Sequence, residues 1–327
     1  FKDPHIVDIT FPYTKDFKKE LHIPKDALYK GKPRSRIAYL CASKRMDWEP
    51  VAWTEFDGKN IVFTDIQKGP VMRVATYERG RLRFWTDPFE INVSNEFHFF
   101  TPSDSVQDVT LFAKYTLRAD DMFLNRMIGG TFEGSNDPDF REKEVLYLIN
   151  EKPKRLQTVV QSYSSKPYRY VRYIGPKDSH CNIAEAAFYT PNDTASLKGK
   201  VIGTSGCFQK DGSHEYTNVF DGDVTTSFDY VEPSGGWSGL DLGIPKQIGR
   251  IIYTPRNYDN YVCHGDDYEL FYCAKRGKWR SLGWQFAEKD SLVYKDVPHN
   301  VLLLLKNYSK GVQERIFTYD VGKQLWK

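Results

Sequence analysis

The chain has 327 residues, with 46 basic and 43 acidic side chains and a net charge of +3. Opposite charges are interleaved throughout, which excludes the clustered positive surface that nucleic acid requires. No window approaches the roughly 18 consecutive apolar residues of a membrane-spanning helix. The length implies two or three cores, and 21 Tyr, 21 Phe and 7 Trp favour the pleated, half-buried surfaces of β-strands.

Taken in chain order, the first alternating segment is 6–11 (Ile-Val-Asp-Ile-Thr-Phe), followed by strand-like runs at 36–41, 60–64 and 71–77. Asp57-Gly58 is a two-residue hairpin signal between the runs 53–56 and 60–63. Alternation recurs at 81–85, and further runs follow at 109–115, 145–149 and 168–174. Short strands at regular spacing, with turn residues between them and scarcely any amphipathic helix, predict an all-β fold of tandem β-sandwiches. Residues 1–118 are expected to form an immunoglobulin-like or transthyretin-like sandwich.

A weak internal repeat comes next. GGTFEGSNDPDFREKEVLYLI (129–149) parallels IIYTPRNYDNYVCHGDDYELFY (251–272). Each has a strand, an Asn/Asp-rich loop and an acidic lead-in to a second strand. The pair 166–174 and 182–189 likewise parallels 297–305 and 313–319. The repeat implies two related modules, a partial one over 119–194 and a fuller one over 195–327, joined by Thr190-Pro-Asn-Asp-Thr194. The five cysteines contain no CxxC, which argues against zinc. They allow a Cys263–Cys273 bridge or, alternatively, buried free thiols.

YRYVRYIGPKDSHCNIAEAAFY (168–189) resembles the closing strands of the F5/8 type C, or discoidin-like (galactose-binding-like), domains, where an aromatic-Arg-Tyr-Val-Arg strand precedes a Glu-containing one. NVFDGDVTTSF (218–228) resembles the early turn of that family, and GGWSGLDLG (235–243) the strand after it. The resemblance implies a discoidin-like jelly roll over 195–327 and a partial copy over 119–194. The whole chain also resembles the C-terminal β-sandwich region of secreted gut-bacterial proteins of glycan degradation. Those proteins can carry a transglutaminase-like domain, none of which is recognisable in these residues.

Two sites follow. The resemblance implies a structural calcium ion held by Phe220 or Asp221 through a carbonyl, by Asp223 and Thr226, and by Glu314 returning from the last strands. The alternative is a plain Asx/Gly turn capped by Asp221. For carbohydrate, the loop 254–267 is the richest stretch in planar donors and aromatics. Arg256 would fork onto vicinal hydroxyls, with Asn257, Asp259, Asn260 and His264 as partners, Tyr258 or Tyr261 stacking, and Trp237 and Trp284 as platforms. Alternatively the Asn and Asp side chains serve their own backbone while Arg256 pairs with Asp266 or Asp267.

Catalytic signatures are missing: no GxSxG, HExxH, P-loop or strand–helix GxGxxG occurs. His180-Cys181 and Cys263-His264 are the only candidate nucleophile neighbours. The expectation is therefore a non-enzymatic, secreted, periplasmic or cell-surface carbohydrate-binding accessory region, its partner a glycan or glycoconjugate, any catalytic domain lying outside this chain. The alternatives are a structural or protein-interaction module docking a partner domain, and an unrecognised hydrolase acting on glycans or glycopeptides.

Overall fold

The structure, a computed structural model, describes residues 17–31, 35–56, 60–115, 118–311 and 314–327. The expected strand at 6–11 and the Asp57-Gly58 turn lie outside the described residues. The rest is all-β, with one α-helix among the described residues.

Strands β1 (Phe17–His22), β2 (Ile37–Ser43), β3 (Glu49–Glu55), β4 (Val62–Gln67), β5 (Val71–Glu78), β6 (Arg81–Phe84), β7 (Phe89–Ile91) and β8 (Phe97–Phe99) build the first sandwich. One sheet runs β3-β2-β5-β7-β8 with β6 on β5, and β1 pairs with β4. Leu21, Leu40, Phe63, Val74 and Phe89 fill the space between them. The runs on either side of Asp57-Gly58 are therefore not hairpin partners: β3 pairs with β2, and β4 with β1. The alternating pattern found the strands, but alternation cannot say which edge a strand chooses.

After β9 (Val106–Leu111) and the short helix α1 (Arg118–Asn125) come β10 (Thr131–Ser135), β11 (Glu144–Leu148), β12 (Thr158–Gln161), β13 (Tyr168–Ile174), β14 (Ile183–Tyr189), β15 (Lys200–Gly203), β16 (Trp237–Lys246) and β17 (Arg250–Pro255). A five-stranded sheet, β11-β10-β13-β16-β15, faces a three-stranded one, β12-β17-β14. Phe132, Val171, Tyr173, Phe188, Ile251 and Tyr253 are fully buried between them.

The third sandwich uses β18 (Asp267–Ala274), β19 (Lys278–Phe286), β20 (Leu292–Pro298), β21 (Leu303–Asn307), β22 (Ile316–Asp320) and β23 (Lys323–Trp326). They form the sheet β19-β18-β21-β22-β23, with β20 paired to β9 across from it. Val109, Tyr268, Leu270, Leu303 and Phe317 make its core.

The strands thus part at different places from those expected. β13 pairs with β16 and β14 with β17, so a division at 194/195 would cut both sheets of the second sandwich. β9 belongs to the third sandwich, so the first ends before residue 106. The repeat is not one of pairing either: β10 and β11 are neighbours, whereas their counterparts β17 and β18 lie in different sandwiches. The three discoidin-like motifs fall on β13–β14, on the loop before β16 and on β16 itself, all within the second sandwich rather than over 195–327.

Two seams hold the sandwiches together. Between the first and third, Val71, Phe100, Cys273, Leu302, Leu304 and Ile316 share an apolar cluster. Beside it the buried Arg73 guanidinium lies over the Phe84 ring at 4.0 Å and donates to the carbonyls of Thr86 (3.0 Å) and Arg276 (2.9 Å). Gly277, at φ +68°, passes so close to that guanidinium that a Cβ would collide with it. The second seam is the 254–267 loop.

Candidate functional sites

This loop carries the chain from β17 to β18, and its polar groups are engaged in holding the second and third sandwiches. Arg256 donates to Asp229 at 2.5 Å and covers the Phe123 ring at 4.5 Å, so its partner is neither Asp266 nor Asp267. Asp229 also receives Asn182 at 2.7 Å. The Asn257 amide donates to the carbonyls of Val224 (2.9 Å) and Pro255 (3.1 Å), and its oxygen accepts the Asp259 N–H. Asp259 accepts from Lys114 at 2.9 Å, and Lys114 is 1% exposed; Lys310 reaches the same oxygen at 3.2 Å.

Backbone pairing completes the seam. Tyr261 bridges to Ala113, the Val262 N–H donates to Phe112, and the Tyr115 hydroxyl donates to the Tyr258 carbonyl at 2.6 Å. Asn260 is buried. Trp237, half-buried, packs on Phe140 and under the Arg172 guanidinium. Of the expected sugar contacts within this loop, only Tyr258 and His264 are exposed, and the Tyr258 ring leans on Phe123. With partners at Val224 on one side and at Ala113 and Lys114 on the other, these side chains read as the joint between sandwiches.

The 220–226 turn also differs from expectation. Glu314 lies in the third sandwich, 3.9 Å from Lys306. The acidic residue that reaches the turn is Glu185 of β14, which accepts the Gly222 N–H at 2.8 Å. Asp221 accepts the Asp223 N–H and the Thr226 hydroxyl, both at 2.8 Å. Asp223 accepts both the N–H and the hydroxyl of Thr225. Phe220 is half-buried and lines a cavity beside the turn. These carboxylate oxygens face donors of their own loop, the pattern of an Asx turn. Among the described residues no group of three or more His, Cys, Asp or Glu side chains is arranged to hold a metal ion. The turn therefore does not fit the implied calcium site. Burial, followed by a hydrogen bond to Asp221 and the nearby negative charges of Asp221 and Asp223, pushes the Glu185 carboxyl up to about 8.

The two thiols with a histidine neighbour in sequence, Cys181 and Cys263, are raised by burial rather than activated. All five cysteines are free and buried, including Cys263 and Cys273. Burial pushes Cys181 far up and Cys263 up to about 11, the reverse of what thiolate chemistry needs. Cys263 donates towards Asp259, while the His180 ring lies 2.9 Å from the Tyr230 carbonyl.

One exposed surface has the opposite character. On the outer face of the third sandwich, Trp284 of β19 and Tyr308, just past β21, stack with centroids 4.2 Å apart and planes 18° from parallel. They are 57% and 47% exposed, and Phe286, two residues along the same strand and so on the same face, is 57% exposed. Strand register makes the pair: Glu269 on the central strand lies opposite both Trp284 and Lys306. The Tyr308 hydroxyl donates to Glu269 at 2.7 Å, fixing the ring, and this hydrogen bond pushes the phenol up to about 12. Sequence reading named Trp284 as a platform but missed Tyr308 and Phe286. Comparison with family models, curated proteins and solved structures finds no match to this chain.

Proposed function

We propose that the chain is a non-catalytic carbohydrate-binding region of a secreted glycan-processing protein, and that it binds through the Trp284–Tyr308–Phe286 face. The observation that carries this reading is the pair of stacked, half-exposed rings held by Glu269. Large aromatic area left in water on a folded surface marks a contact site. Flat rings beside fixed polar groups suit the C–H face and the hydroxyls of a pyranose. Half-buried Lys306 supplies a donor beside the rings, while the buried Glu269 holds Tyr308 in place. Cys181 and Cys263, the thiols next to a histidine in sequence, are raised rather than lowered, which supports the non-catalytic part of the reading. The discoidin-like resemblance supports the ligand class, its motifs now belonging to the second sandwich.

A glycan array followed by calorimetry tests it. Binding of at least one glycan is expected, weakened about tenfold or more in Trp284→Ala, which removes a stacking contact of order 1.4 kcal/mol. Both rings are exposed, so the variant folds. Absence of binding to every glycan, or binding that survives Trp284→Ala combined with Tyr308→Ala, would overturn the proposal.

A further inference from the structure

The Trp284–Tyr308 stack stands at one end of a row that crosses the outer face of the third sandwich. Glu269 lies opposite Trp284 on one side and Lys306 on the other, and directly opposed residues share a face. Lys306 in turn meets Glu314, which leads into β22, at 3.9 Å. The row therefore spans the spacings from β19 through β18 and β21 to β22, about 4.8 Å each and roughly 14 Å in all, longer than one sugar ring. A β-bulge aims it. Ser281 and Trp284 oppose Phe271 and Glu269, so β19 holds one residue more than β18 there. The extra residue falls at Leu282-Gly283, where Gly283 takes φ +111°. Without it Trp284 would turn to the core side of the sheet.

The first sandwich walls the far end of this row. The Ile316 N–H donates to the Lys44 carbonyl at 2.8 Å, which sets the 44–47 loop against the start of β22. The Ser43 hydroxyl donates to the Arg45 carbonyl (2.6 Å) and accepts the Arg45 N–H (3.0 Å), so the loop is held in one shape. Met46 packs into the seam below, while Arg45 and Asp47 stay exposed. Burial pushes the Glu314 carboxyl up, Lys306 and Arg45 pull it back, and Asp47 adds to the rise; both loop side chains thus act on this end of the row. Beyond the rings the polar groups alternate in kind: Lys306 donates, Glu314 accepts, Arg45 donates and Asp47 accepts. A polyanion would meet Glu314 and Asp47, and a polyamine would meet Lys306 and Arg45. Hydroxyls donate and accept at once, so the alternation suits a neutral sugar chain. Beneath Lys306 the half-buried Phe271 ring, 5.7 Å from the ammonium, continues the apolar floor.

We infer that the glycan face is one end of a groove that takes a neutral chain of several sugar units, its far end held by Arg45 and Asp47 of the first sandwich. The inference rests on the glycan reading above and names the class of ligand. It is tested by calorimetry on the whole chain with the mono-, di-, tri- and tetrasaccharides of the glycan that binds in the array. That glycan carries no carboxylate or sulfate, and affinity rises about tenfold or more from mono- to tetrasaccharide. Arg45→Ala lowers the tetrasaccharide affinity about tenfold, the loss of one hydrogen bond to a charged group. Arg45 is exposed and its loop is held through Ser43 and the backbone, so the variant folds. Tyr163→Ala, which removes a 69% exposed ring from the second sandwich, changes neither affinity. If no saccharide binds, the glycan reading fails and this inference with it. Equal affinity for mono- and tetrasaccharide, an anionic glycan as the one bound, or a tetrasaccharide affinity untouched by Arg45→Ala overturns the groove alone.

Discussion

Arg256 shows what residue type alone does not reveal. A guanidinium within a run of Asn, Asp and Tyr has the composition of a sugar site, yet here it lies 12% exposed against Asp229, 8% exposed. Arg256→Ala strands that carboxylate, leaving it, among the described residues, the Asn182 amide. Breaking such a buried pair costs about 3 kcal/mol, so a lower melting temperature is expected, with glycan affinity at Trp284 unchanged; calorimetric melting and a binding isotherm on the one variant separate the two effects. Glu185 yields a pH prediction. Its folded value, about 8, is raised above the ordinary 4.5. The stability tied to its protonated form is therefore fully present below about 4.5 and lost as pH rises through about 8. Glu185→Gln keeps a neutral side chain throughout. The melting temperature of the parent should fall relative to that of Glu185→Gln across this window, and parallel curves would show that the carboxyl is not buried among like charges.

At the level of single elements the strands were readable because alternation at 81–85, and the β-branched and aromatic runs at 71–77 and 168–174, do not depend on the partner strand. Loops were readable only in composition. The 220–226 turn has the Asp-Gly-Asp spacing that a cation site and an Asx turn share, and what separates the two is where each oxygen points. Sequence could not supply that: the acidic residue that accepts from the turn is Glu185 of β14, whereas Glu314 faces Lys306 in the third sandwich. With Asp221 and Asp223 satisfied by loop donors, excess chelator should leave the melting temperature unchanged, as followed by circular dichroism. A drop on chelation, restored by calcium, would instead place a cation at the turn. The aromatic face was hidden for a related reason. Trp284 and Tyr308 meet only because β19 and β21 flank β18 in a particular register, and no local pattern encodes a register between distant strands.

At the scale of the whole molecule, the consequence of long-range pairing is a different set of folding units. Residues 195–327 look self-contained in sequence, since they carry the Asp-Gly-Asp turn, the strand after it and a full set of later strands. In the fold, β16 finds a partner in β13, and β17 finds both of its partners in β14 and β12, all upstream of that boundary, while β18–β23 receive β9 from still further upstream. A fragment of 195–327 would expose the β16 and β17 edges, unpaired and apolar, and would leave Phe228, Leu240, Ile251 and Tyr253 without Phe132, Val171 and Phe188 to pack against. Unpaired hydrophobic strand edges recruit other chains. The fragment should therefore aggregate or show no cooperative melting transition. A fragment of 100–327 keeps both sandwiches and the Lys114–Asp259 seam, and it should melt cooperatively, though it opens the Val71–Leu304 seam to water. Scanning calorimetry on the two fragments decides the matter: a cooperative transition in 195–327 would mean that its strands can pair among themselves, and that the boundary belongs at 195 after all.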